Sequence, residues 1–309
     1  MPLPLALDHV NLWLLEDGNG WTTVDTGFAL ESIREAWLEL LAGRRLTRQF
    51  VTHYHPDHLG LAAWLQELTG APLWMTQAEY SCSLLLLHEI AGYSTAAMIE
   101  AFRAHGLPEP RLEKLARKGN TYALGVPAIP STFRPIFEAE EITIGPHRWR
   151  VLIGHGHSPE HACLYCADLG VLISGDLLLP RISTNISALA PTPALDPLGL
   201  FLASLERFTQ LPADTLVLPS HGLPFRGLHK RIGQLRLHHA QRCQVLLEAC
   251  AQAPKHASEL IPVLFDRDIT DAFQSMFAMG EAIAHLVHLE QAGSLVRSVE
   301  SGIIRFGKP

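Results

Sequence analysis

Apolar and polar positions alternate along this chain with two different periods. Residues 8–15 (DHVNLWLL) and 21–25 (WTTVD) read as strands joined through Asp17-Gly18-Asn19-Gly20, because Asn-Gly supplies the left-handed backbone of a tight hairpin turn. Over residues 30–41 the apolar side chains recur at Ile33, Trp37, Leu40 and Leu41 and stop before Gly43, the spacing of one buried helix face. Residues 46–52 predict a strand that runs straight into His53. A helix over 59–68, ended by Gly70, and a short strand over 73–75 follow. Strands alternating with helices predict a layered α/β domain.

Between about residues 78 and 135 the alternation stops. Helices over 78–90, 95–105 and 110–117, then a Pro-rich extended stretch to Pro135, predict a helical insertion. Its apolar positions, among them Ile90, Met98, Ile99 and Phe102, predict a surface that packs partly on the main domain. The remainder would serve as a lid over a cleft or as the contact of a homodimer. Strand patterns resume at 141–144, 149–153, 162–167 and 171–175. A helix over 197–209, capped by Asp196, leads to a strand over 215–219 and to His221-Gly222. Helices over 228–251, 257–264 and 273–292 come next, then short strands at 294–297 and 303–306. Helices closed by a terminal hairpin outline a winged-helix-like module. The expected domains are residues 1–225, carrying the insertion, and 226–309.

Composition narrows the function. With 309 residues, 48% hydrophobic and a net charge of −7, the chain is too apolar for disorder and too acidic for a general nucleic-acid binder. One stretch runs against that balance: Arg226, Lys230, Arg231, Arg236 and Arg242 fall in 17 residues without an acid. Such a basic strip suits RNA phosphate, or the phosphates and carboxylates of a CoA or glutathione thioester. No apolar run is long enough for a membrane span, and residues 1–7 lack the charged start of a signal peptide. Five cysteines, an odd number, in that context point to a reduced, cytoplasmic setting. Cys163 and Cys166 have metal-like spacing, but three residues apart on a strand they face opposite sides and read as packing. Neither a G-x-S-x-G nucleophile elbow nor a Gly-rich phosphate loop occurs. Histidine is in excess, at 17 residues, and metal ligation is the first explanation to test.

His53-Tyr54-His55-Pro56-Asp57-His58 stands directly after a predicted strand. On extended backbone, residues i and i+2 point the same way, so His53 and His55 can share one metal. Pro56 stops the strand and Asp57 begins the next helix, which lets Asp57 and His58 turn toward a second metal. Imidazole and carboxylate donors without thiolate suit Zn first, and also Fe or Mn. Two metals need more ligands, and the chain offers them after three later strands. These are Gly154-His155-Gly156-His157-Ser158, Ser174-Gly175-Asp176 and Pro219-Ser220-His221-Gly222.

This series resembles the metallo-β-lactamase superfamily, whose pattern is H-x-H-x-D-H, then G-H-[ST], Gly-Asp and a late His-Gly. Val24-Asp25-Thr26-Gly27 and Asn11 also match that family's opening hairpin. The resemblance spans about residues 8–225, and the tail is similar to the C-terminal module of some branches. It implies a four-layer αββα sandwich of two facing mixed sheets, with the insertion and the tail appended. It also implies two divalent metal ions: His53, His55 and His157 on the first, Asp57, His58 and His221 on the second, and Asp176 bridging both. His155 competes with His157, and His157 is preferred because it precedes Ser158. His155 and His161 are then expected to border the site, and Asp25 to orient a ligand or a loop. The implied chemistry is hydrolysis of a small thioester, lactone or carboxylic ester by a metal-bridging hydroxide, with Asp57 receiving a proton. The late ligand lacks the glyoxalase-II C-G-H-E-Y surroundings, so hydroxyacylglutathione is one candidate among several. A single-strand endoribonuclease and a weakly catalytic metal-bound sensor are the rival readings.

Overall fold

A computed structural model of the chain describes residues 1–3, 7–267, 269 and 271–309. The chain packs as two compact units. The first comprises Met1–His88, Thr121–Thr184 and Ser204–Ile232. The second comprises Glu89–Asn120, Asn185–Ala203 and Gly233–Pro309.

Two five-stranded sheets form the first unit. In one, β1 (Trp13–Asp17), β2 (Gly20–Val24), β3 (Leu46–Phe50), β4 (Leu73–Met75) and β5 (Phe133–Pro135) lie in chain order. Only its β1–β2 pair is antiparallel. The Pro-rich extended stretch therefore ends as an edge strand, a position where the missing proline N–H costs no ladder bond. The other sheet has β6 (Glu141–Ile144), β7 (His147–Gly154), β8 (His161–Cys166), β9 (Val171–Gly175) and β10 (Leu216–Pro219), ordered β10-β9-β8-β7-β6. Along β7, Trp149, Val151 and Ile153 face inward while Arg148 and Arg150 face water, the period-2 alternation of a sheet with one buried face. These residues meet Val24 and Phe50 of the first sheet in the core between the sheets.

Helices α1 (Glu31–Leu40), α2 (Pro56–Leu59), α3 (Ala62–Thr69) and α4 (Gln77–Leu87) cover the first sheet, where Ile33, Trp37, Leu61 and Leu65 form one cluster and Leu59, Leu73, Met75 and Tyr80 another. On the second sheet, Ser204 Oγ accepts the His155 N–H at 2.9 Å and Arg207 donates to the Ile153 carbonyl. The result is the four-layer αββα sandwich with mixed sheets.

The 78–135 insertion is divided between the units. Its ends, α4 and α7 (Tyr122–Gly125), stay with the sheets. Its middle, α5 (Thr95–Ala104) and α6 (Glu109–Lys118), belongs to the second unit. The reason is apolar burial: Phe102, Leu107, Leu112 and Leu115, with Met98 and Ile99 beside them, share one core with α10 (Ala257–Phe265) and α11 (Ala272–Gln291). Most of the apolar face expected on a lid or between two copies is thus covered within the chain. The division between the units falls within helices α8 (Pro197–Phe208) and α9 (Leu228–Cys250), and β11 (Val296–Glu300) pairs with β12 (Ile303–Gly307) as the terminal hairpin.

Candidate metal centre

Every candidate ligand loop leaves the C-terminal end of a strand. His53 follows β3, His155–Ser158 follow β7, Asp176 follows β9 and His221 follows β10. Strands β7, β9 and β10 run the same way, so three of these loops emerge at one edge of the second sheet. Gly175 has φ +52°, and a Cβ on it would stand 2.4 Å from the His161 ring. Only glycine lets His161 press against the turn that presents Asp176.

Two groups of ligand atoms converge, each within 4.8 Å: His53, His55, His157 and Asp176 in one, Asp57, His58 and His221 in the other. In the first, His53 Nε2 lies 2.9 Å from His55 Nδ1 and 3.1 Å from His157 Nε2. In the second, Asp57 Oδ2 lies 3.6 Å from His58 Nε2 and 3.4 Å from His221 Nε2. Asp176 faces both. Its Oδ2 is 3.6 Å from His157 Nε2, and its Oδ1 is 3.5 Å from His58 Nε2 and 3.4 Å from His221 Nε2.

In His53, His58 and His221 the other ring nitrogen is already engaged, which fixes the atom each of these three can offer. His58 Nδ1 donates to Asp25 Oδ2 at 2.7 Å, and His221 Nδ1 donates to the His9 carbonyl at 2.7 Å. His53 Nδ1 donates to Thr52 Oγ1 at 3.0 Å, and that hydroxyl donates to Asp25 in turn. Asp25 itself holds φ +66°, a strained backbone for a residue with a side chain. Residues 8–12 do not continue the first strand as the pattern predicted. Asn11 Nδ2 instead donates to the carbonyls of Pro219 and Gly222, and His9 Nε2 accepts the Gly222 N–H, so the segment clamps the His221 loop.

Electrostatics separates the two groups. Burial, with the neighbouring imidazoles His58 and His55, pushes His53 well below the usual histidine range. Burial likewise holds His55 at about 3. Burial also works against charge on His221, but Asp176 and Asp57 outweigh it and raise His221 to about 10. His58 rises for the same reason, with Asp57 and Asp25 overriding burial. Burial would raise Asp176, yet the charges of His58 and His221 hold it well below the carboxylate range.

A cation fits these donors. His58 Nε2, His221 Nε2 and Asp176 Oδ1 are all buried without a hydrogen-bond partner, which is costly for polar atoms unless an electrophile sits among them. In the first group, His53 Nε2 has ring nitrogens of both His55 and His157 within 3.1 Å, three imidazole donors turned on one another as around a shared cation.

The flanking histidines lie outside both groups. His155 Nδ1 donates to the Pro159 carbonyl at 2.7 Å. His161 is fully buried, and its Nε2 accepts the Asp176 N–H at 3.1 Å while its ring stacks on His53. Glu79, Thr52, His9 and Tyr122 have no motif signal, because their roles arise from contacts across 25 residues or more. A further group, His147, Cys166 and Asp168, lies at the opposite end of the β7–β8 hairpin. Its aspartate is exposed, and none of its atoms is a buried polar atom lacking a partner.

Comparison with known proteins agrees with this geometry. The profile of the metallo-beta-lactamase superfamily matches residues 5–221, and that of the metallo-beta-lactamase-like C-terminal domain matches 243–309. A beta-lactamase domain protein from Burkholderia ambifaria superposes with a TM-score of 0.93 at 45% identity, over 100% of this chain and 91% of its own. A metallo-beta-lactamase family protein from Thermus thermophilus gives 0.84 at 30% identity, over 100% and 97%. Among curated sequences, the probable metallo-hydrolase YqjP of Bacillus subtilis is 25% identical over 99% of this chain and 95% of its own length. A hydroxyacylglutathione hydrolase of Albidiferax ferrireducens is 26% identical over 72% of this chain and 65% of its length. No helix among the described residues is long and apolar enough to cross a membrane.

Proposed function

The chain belongs to the metallo-beta-lactamase superfamily, and within it we propose a dinuclear metal-dependent hydrolase that cleaves a small ester-type bond: a thioester, a lactone or a carboxylic ester. One observation carries the reading. Asp176 divides its carboxylate between the two groups, Oδ2 toward His157 and Oδ1 toward His58 and His221. A carboxylate so shared suits a pair of cations better than one. His53, His55 and His157 would hold the first ion, Asp57, His58 and His221 the second, and Asp176 both. The donor set suits Zn, with Fe and Mn also compatible.

When bound, the ions would acidify a water and polarise the oxygen of the scissile bond. The chain's own groups supply the rest. Asp57 would meet the second ion through Oδ2, which faces His58 and His221, so its other carboxylate oxygen would hold a proton on its way to the leaving group. Asp25, through the His58 Nδ1 hydrogen bond, keeps the Nε2 lone pair of His58 directed inward. The ester class draws on the hydroxyacylglutathione hydrolase relative. Arg226, Arg231 and Arg242 of the basic strip donate to the carbonyls of Asp214, Leu179 and Leu264, which ties up donors that RNA phosphate or the phosphates and carboxylates of a thioester would otherwise meet.

The test is metal analysis of the purified chain together with steady-state rates on panels of thioesters, lactones, carboxylic esters and single-stranded RNA. Two ions per chain and turnover of one ester class are expected. Bound metal without turnover would make the chain a metal-bound sensor, and RNA cleavage alone would make it a nuclease.

A further inference from the structure

Glu79 lies in the first turn of α4 and is fully buried. Its Oε2 accepts the Tyr54 N–H at 2.9 Å, and Tyr54 stands between His53 and His55. Its Oε1 accepts the Ser158 hydroxyl and the Glu160 N–H, each at 2.6 Å, and Ser158 follows His157. Tyr122 donates to the Tyr54 carbonyl at 2.7 Å, so the N–H and the C=O of Tyr54 are both held from outside the loop. One carboxylate thus joins the two loops that carry the three histidines of the first group. Burial pushes Glu79 up to about 7 against these three donors, a cost that a purely apolar packing position would not carry. The second group is anchored elsewhere, His58 by Asp25 and His221 by the His9 carbonyl.

We propose that Glu79 is a positioning residue for the first metal ion: by holding the His53–His55 loop at a set distance from His157, it governs the affinity of that ion and leaves the second unaffected. The proposal rests on the dinuclear reading above. Glu79→Gln keeps the shape but turns an N–H₂ toward groups that are themselves donors, so at least one of the two loops is released.

The experiment is competition of the metal-stripped full chain against a chromophoric chelator for Zn²⁺ and for Co²⁺. The parent is expected to bind two ions. Glu79→Gln should bind one ion as the parent does and the other about 10–100-fold more weakly, the usual loss when an outer partner of a ligand is removed. Equal weakening of both ions, or of neither, overturns the proposal. Should Glu79→Gln not accumulate as folded protein, Ser158→Ala removes one of the three donors and must weaken one ion alone; unchanged affinities there also overturn it. A parent that binds fewer than two ions defeats the dinuclear reading itself, which separates that failure from a failure of the role of Glu79.

Discussion

Buried histidines gather in both units, and only one gathering has the character of a metal centre. In the first unit, His53, His55 and His157 turn ring nitrogens toward a common point beside the low-pKa carboxylate of Asp176. In the second, His239 and His285 are fully buried, but they hydrogen-bond to each other at 3.1 Å, and His285 Nδ1 donates to the Glu281 carbonyl at 2.8 Å. Burial holds them neutral, at about 3 and about 4, and Phe201 packs edge-on against His239. The neighbouring carboxyl differs too. Burial lifts Glu281 to about 7, against its Asn185 hydrogen bond and the nearby charge of Arg242, so it favours the neutral form. The lesson is that clustered, buried imidazoles are common to both; convergence on a low-pKa carboxylate distinguishes the first.

The sharpest way to break this contrast is Asp176→Ala. It removes a donor from both groups at once, so metal content should fall below two ions per chain and hydrolysis by more than roughly 100-fold, beyond the loss from an outer partner. His239→Phe should leave metal content and rate alone. A variant at position 176 that keeps two ions and the full rate would sink the assignment.

The second unit gives a pH signature of definite sign. Glu281 has a folded pKa of about 7 against an ordinary 4.5, so between those values the folded chain keeps a proton that the unfolded chain has lost. Stability from this group therefore falls as pH rises from 4.5 to 7 and stays low above. Glu281→Gln should match the parent near pH 4.5 and exceed it at pH 8 by up to about 3 kcal/mol. Urea melts at the two pH values read this difference, and an equal offset at both would contradict it. The smallest effect concerns Asp25, which holds His58 where His285 has only a backbone carbonyl. Asp25→Asn should cost about 10–100-fold in metal affinity with the fold retained, measured by chelator competition and circular dichroism. Unchanged affinity would show that the tautomer of His58 does not depend on this bond.

Much of the architecture is legible in local patterns. Period-2 burial in β7, the Asp17–Gly20 turn and the histidines after β3 all depend on neighbours a few residues apart, where backbone geometry alone decides which side chains share a face. Residues 8–12 escape such reading. They look like strand, yet they clamp a loop more than 200 positions away, through Asn11 and His9. Glu79 escapes it as well, since nothing in Gln77-Ala78-Glu79-Tyr80 marks one carboxylate as the tie between two distant loops.

The sequence by itself determined the layered fold, the candidate ligand types and their positions at strand ends, because each follows from alternation and from the residues that stop a strand. Only the tertiary structure decided that residues 8–12 clamp the His221 loop, that Glu79 ties two ligand loops together, and that residues 89–120 pack with the C-terminal helices. Those outcomes depend on strand register, loop convergence and the burial of apolar faces between segments far apart in the chain, none of which is encoded within a single local stretch.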